Sequence, residues 1–207
     1  METEALWLTI RSGISLLALG TMVGFMVARN VRQYQDAKIW NWARFFMIMS
    51  FFASALSHII LIGYHSLGID GFESLIGTSI TEPTVNTILI TTTICFSSMF
   101  AAYINGWDSL VLLPLFIQIG ALIFTFLIGT INFEYYYIMV FGVLSIIALW
   151  EAGIRLKDNM AMGIGIMSTL QLIASFGGFY FQTALSLIGI TFGAITIMGL
   201  FRPYKEG

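Results

Sequence analysis

The chain has 207 residues, of which 58% are hydrophobic and 10% charged; nine basic and eleven acidic side chains leave a net charge of −2. Mean hydropathy is +0.89, and a soluble domain carries about 25% charged residues, so there is too little charge to cover a water-facing surface. This composition excludes a soluble enzyme, a nucleic-acid binder, a disordered regulator and a disulfide scaffold. It indicates an all-α, polytopic integral membrane bundle, because the apolar runs are continuous and a membrane β-barrel needs alternating residues.

A helix needs about 20 apolar residues to cross a hydrocarbon core of about 30 Å. Seven stretches meet or approach that length, at 5–27, 42–63, 83–104, 110–129, 133–150, 160–176 and 184–201. They are read as one transmembrane domain with no soluble domain. The start Met1-Glu2-Thr3-Glu4 is acidic where a cleaved signal peptide is basic, so the first stretch is read as a retained span.

Helix one carries Arg11 about two turns in, on a face with Ser15 and Met22. An arginine there either snorkels to the surface or pairs with a carboxylate from Asp70, Glu73, Glu82 or Glu134. It is the best candidate for holding an anionic ligand from outside. Gly13, Gly20 and Gly24 form a smooth stripe that lets another helix approach closely.

Helix two holds His58, and His65 lies just beyond its end. Seven residues of helix separate them by about 10.5 Å along the axis, so they cannot share a metal. With no other histidine, neither a bis-His haem within one subunit nor a tetrahedral zinc site is expected. Ser54 and His58 resemble the second-helix pattern of seven-helix membrane hydrolases. That family also has a histidine pair in its last helix; this chain has none there, which excludes the match. The segment from Tyr64 to Glu82 is acidic and is expected to hold a short interfacial helix at Phe72 to Ile76.

Helix three is the most polar. Thr84, Thr87, Thr91, Cys95 and Ser98 share one face; Asn86, Thr93 and Ser97 fall on the opposite one. Two polar faces suit the middle of a bundle, where one face lines a ligand pocket or both pack against neighbours. Asn105-Gly106 marks the turn to helix four, which carries Gln118 mid-span. Gln171 lies mid-span in helix six. Each glutamine either coordinates a polar ligand or clasps another helix. Asp108, Glu134, Glu151 and Asp158 are all placed at span ends, which leaves no acid at mid-bilayer. Gly177-Gly178 is the expected turn between helices six and seven, and Gly189 and Gly193 give helix seven its own small-residue stripe.

Eight of the nine Lys and Arg residues lie on one side of a seven-span layout, and Arg11 lies toward the other. The basic side is cytoplasmic by the charge bias of short loops, so the N-terminus is expected outside and the C-terminus inside. The expected location is the cell membrane, as a multi-pass protein. The segments Val31-Arg32-Gln33-Tyr34-Gln35-Asp36 and Ile154-Arg155-Leu156-Lys157-Asp158 are loosely alike. So are Ile48-Met49-Ser50 and Ile166-Met167-Ser168. These matches either hint at two three-helix units joined by helix four, an arrangement found in transporters with parallel repeats, or are the chance likeness of apolar helices that share a composition, which is the stronger reading.

This topology resembles microbial rhodopsins, exporters of the SWEET type and the seven-helix sensor modules of some kinases. The last helix lacks the lysine that retinal needs. Pro83, Pro114 and Pro203 do not form the Pro-Gln signatures of the exporters, and no kinase domain is appended. Catalytic residues, metals and cofactors are not expected. The leading expectation is a receptor- or sensor-like bundle that binds a small ligand from outside through Arg11, His58, Glu82, Asn86, Gln118 and Gln171, and signals through a partner. The alternatives are an accessory subunit of a larger membrane complex and a small-solute carrier. Expected partners are the lipid bilayer and other membrane helices, in a homo-oligomer or complex, through Gly20/Gly24 and Gly189/Gly193.

Overall fold

The computed structural model describes residues 2–76, 82–129 and 131–204, with side chains over 6–64, 85–129 and 131–204. Seven α-helices follow one another: α1 (Glu2–Ala37), α2 (Trp42–Ile76), α3 (Glu82–Ile104), α4 (Leu113–Ile128), α5 (Asn132–Arg155), α6 (Asn159–Ala174) and α7 (Phe179–Ile197). No strand occurs among the described residues. Six helices are long and apolar enough to cross a membrane; α6, at 16 residues, is shorter.

The main departures from the expected spans are at helix ends. α1 continues through Arg29 and Arg32 to Ala37, so the expected basic loop shrinks to residues 38–41. Side-chain bonds to the start of α2 hold this extension: Asn41 N donates to Asn30 Oδ1 at 3.2 Å, and Arg44 Nη1 to Gln33 Oε1 at 3.0 Å. α2 runs on to Ile76, so the expected short helix at Phe72 to Ile76 is part of one continuous element. Pro114 lies in the first turn of α4, where its missing N–H costs nothing. A short 3₁₀ turn at Asp108–Leu110 precedes it. Gly106 and Gly129, both at φ 72°, make the left-handed turns that end α3 and α4. The chain reverses between α6 and α7 at 175–178, where Gly177-Gly178 was expected to turn it.

The helices pack as a ring in the order α1, α2, α3, α5, α6, α7 and back to α1, with α4 packed mainly against α3 and α5. Exchanging α1–α3 with α5–α7 leaves this neighbour order unchanged. The two corresponding turns also share a device. Lys38 and Lys157 adopt positive φ, at 55° and 53°. Asn41 Oδ1 then accepts from Arg44 N, and Asp158 Oδ1 from Ala161 N, each at 2.8 Å. The loose likeness between the two halves thus has a counterpart in packing and capping.

One face of α1 is buried at Ser12, Ser15, Leu19, Met22, Met26 and Asn30, spaced three and four apart as a helix stripe requires. Met47, Phe51, Phe100, Leu149 and Ile164 complete a core in which flexible methionines fill the gaps between rings. The two glycine stripes behave differently. A Cβ added at Gly13, Gly20 or Gly24 meets nothing within 4 Å, whereas Gly189 and Gly193 lie against Met167 of α6. The stripe of Gly189 and Gly193, expected to meet helix one or another protein, lies instead against α6 of the same chain.

Candidate functional site

α3 stands between two sets of helices, and its two polar faces are used separately. On one face Ser57 of α2 donates to Asn86 Oδ1. Ser50 of α2 donates to the Thr93 carbonyl at 2.9 Å and pairs with Ser97 Oγ at 2.9 Å. On the other face Gln118 Nε2 of α4 reaches Thr92 Oγ1 at 2.9 Å and Thr91 Oγ1 at 3.3 Å. Ser98 on that face donates to the Phe141 carbonyl of α5 at 3.4 Å.

The first polar cluster lies between α1 and α2, away from the basic end of the bundle. The antiparallel register set by Asn30–Asn41 and Gln33–Arg44 brings Arg11 near the level of His58. His58 adjoins Ser57, which is tied to Asn86. Ser12 and Ser15 of α1 are 1% and 0% exposed. Arg11 Nη1, His58 Nδ1, Ser12 Oγ and Ser15 Oγ are all buried and have no hydrogen-bond partner among the described residues. Buried polar atoms are nearly always paired, and here four unpaired ones come from two packed helices. Arg11 supplies a fixed positive charge and donors, and the hydroxyls can donate too. The chemistry such a set can perform is to hold an anion. The side chains of Glu82, Asp70 and Glu73, expected near Arg11, lie outside the described residues.

Gln118 and Gln171 do not join this cluster. Gln118 clasps α4 to α3, and Gln171 Nε2 clasps α6 to the Ser186 carbonyl of α7 at 3.0 Å. For Gln118→Leu we expect a loss of about 1 kcal/mol, since two interhelical bonds in a membrane contribute about 0.6 kcal/mol each. Thr91 and Thr92 keep their own bonds to the Ile88 carbonyl, which limits the loss. A thermal melt in detergent, lowered by a few degrees, would report it.

Glu134 stands in the first turn of α5, at the end of its span as expected, but it is 0% exposed, and of the four carboxylates offered to Arg11 it is one that lies across α3 from it. Two bonds set the α3–α5 register: Ser98 to the Phe141 carbonyl, and Asn105 Nδ2 to the Ala148 carbonyl at 3.0 Å. Both join residues 43 apart, which puts Glu134 opposite Thr91, near the middle of α3. By that register Asn132, the first residue of α5, stands opposite Leu89 rather than the first turn of α3. Helical phase carried the signal. Glu134, Tyr137, Ser145, Ala148 and Ala152 are all buried on α5, at spacings that place them on one stripe.

Around Glu134, the Tyr137 hydroxyl donates to the Pro114 carbonyl at 3.0 Å, and the buried thiol of Cys95 adjoins Tyr137. No group of three or more His, Cys, Asp or Glu that could hold a metal occurs among the described residues. The chain matches no family model, no curated protein and no solved structure.

Proposed function

We propose that the chain is a receptor-like membrane bundle that takes a small anion from the outer side, between α1 and α2, and passes the bound state to a partner protein. The observation that carries this reading is the group of four buried, unpaired polar atoms on Arg11, Ser12, Ser15 and His58. A half-buried guanidinium with no described carboxylate partner is costly inside a bundle, and a bound anion would offset that cost. The anion supplies what Arg11 lacks, and the hydroxyls fix its orientation.

The basic residues Arg29, Arg32, Lys38, Arg44, Arg155 and Lys157 gather at the opposite end of the bundle. On the charge bias of short loops, we read that end as cytoplasmic and the Arg11 end as outer. α1 runs unbroken from Arg11 to Ala37, so a shift at the anion site reaches the basic end through one rigid element. The open stripe of Gly13, Gly20 and Gly24 supplies a surface on the same helix for a partner's helix. An accessory subunit would use the same stripe.

A melting series tests the reading. The purified protein is heated with acetate, succinate, inorganic phosphate and sulfate in turn. We expect one anion class to raise the melting midpoint by several degrees, as saturating ligand does through mass action. Arg11→Ala and His58→Ala should each lose most of that shift. An equal shift in both variants, or none with any anion, would sink the proposal.

A carrier is the second reading, favoured by the ring whose neighbour order survives exchange of its halves. Flux of the stabilising anion into proteoliposomes would decide for it.

A further inference from the structure

A second polar centre lies across α3 from the anion site, and the proposed receptor function does not use it. Glu134 is fully buried between α3, α4 and α5, and neither carboxyl oxygen has a hydrogen-bond partner among the described residues. Thr91 is its neighbour, but the Thr91 hydroxyl already donates to the Ile88 carbonyl at 2.9 Å and accepts from Gln118. No cation faces Glu134 among the described residues. From α3 the ionisable group is Cys95; from α5 it is Tyr137, whose proton is committed to the Pro114 carbonyl. α4, from Leu113 to Ile128, has no ionisable side chain. Arg11 and His58 stand on the other side of α3.

A carboxylate here would have neither a counter-charge nor a donor to replace its lost hydration. A carboxylic acid would have what it needs: its O–H can donate to Thr91 Oγ1, which retains a free lone pair. We propose that Glu134 is a proton-binding site inside the bundle, and that the bound proton is shared with Thr91 Oγ1. Loss of the proton leaves a carboxylate that demands a donor. The Thr91 hydroxyl is the donor at hand, and it must turn from the Ile88 carbonyl to provide one. The same hydroxyl accepts from Gln118, so the proton's departure alters the clasp between α3 and α4. The ligand of this site is a proton, and its readout is the packing of α4.

Infrared difference spectroscopy on the full chain in lipid nanodiscs tests this. Among the acids with described side chains, Asp36, Asp108 and Glu151 are exposed and Asp158 is partly so; a protonated-carboxyl band at neutral pH is assigned to Glu134 by substitution. We expect the band in the unaltered protein, its loss in Glu134→Gln and its shift to higher frequency in Thr91→Val. A purely packing role for Thr91 would not move the band. Absence of the band at neutral pH in the unaltered protein, or its persistence in Glu134→Gln, would overturn the proposal. Should Glu134→Gln not fold, an apolar carbodiimide, which reacts with protonated carboxyls, is applied to the unaltered protein. Labelling of Glu134 that falls as pH rises supports the site; no adduct on Glu134 at any pH refutes it.

Discussion

Replacing Gly153 with valine should lower the melting temperature by roughly 10 °C, whereas the same replacement at Gly24 should leave it nearly unchanged. A Cβ at Gly153 would stand 2.9 Å from both the Cα and the N of Met162. These are backbone atoms at the start of α6, held by the Met162 N bond to the Asp158 carbonyl at 3.0 Å, and they cannot turn aside as a side chain does. Overpacking typically costs about 1–3 kcal/mol. With no flexible neighbour to yield, the upper end applies, and each kilocalorie lowers the midpoint of a chain this size by about 2–4 °C. Gly24 meets nothing within 4 Å and is exposed. A Gly24 variant that melted as low as the Gly153 variant would show that a partner covers the α1 stripe in the purified state.

Arg11→Met should act in the opposite direction. Its melting midpoint should rise by about 3–6 °C without added anion, while the stabilisation by anion disappears. The guanidinium is partly buried in the bundle and its Nη1 has no described partner. Replacing a buried charge by a packed apolar side chain is often stabilising by about 1–2 kcal/mol. Methionine keeps an unbranched stem of similar length and removes the charge. A lower midpoint in anion-free buffer would mean that Arg11 already has a stabilising partner. A higher midpoint with unchanged anion response would place the anion elsewhere.

The seven helices could be read because crossing a bilayer imposes a length and a composition that no tertiary contact can override. The helix ends were less legible. Asn30 and Gln33 hold α1 helical past its apolar run through bonds to Asn41 and Arg44, and those partners exist only once α2 has packed. The two faces of helix three were visible from its period of Thr, Ser and Asn, and both find the neighbours their spacing called for. Arg11, His58 and Asn86 were read individually and gather at one level. Gln118 and Gln171 make bonds between helices, which depend on which helix lies opposite. Glu134 was read at the end of its span, where it stands, but its burial was not read, because that depends on the α3–α5 register, which no single helix reveals, although the buried phase of α5 was there to be seen.

The position of α4 has a topological consequence. A unit of three spans begins on one side of the membrane and ends on the other. A second copy joined to it directly would be inserted upside down, and the two halves could not meet as like units around a ring. One additional crossing restores the direction of the second unit. α4 meets that requirement while packing mainly against the last helix of the first unit and the first helix of the second. Its exposed Phe116, Phe126 and Leu127 face away from both. On this view its outer surface answers to lipid solubility alone, and drift in its sequence should leave the ring intact wherever Pro114, Gln118 and Gly129 are kept.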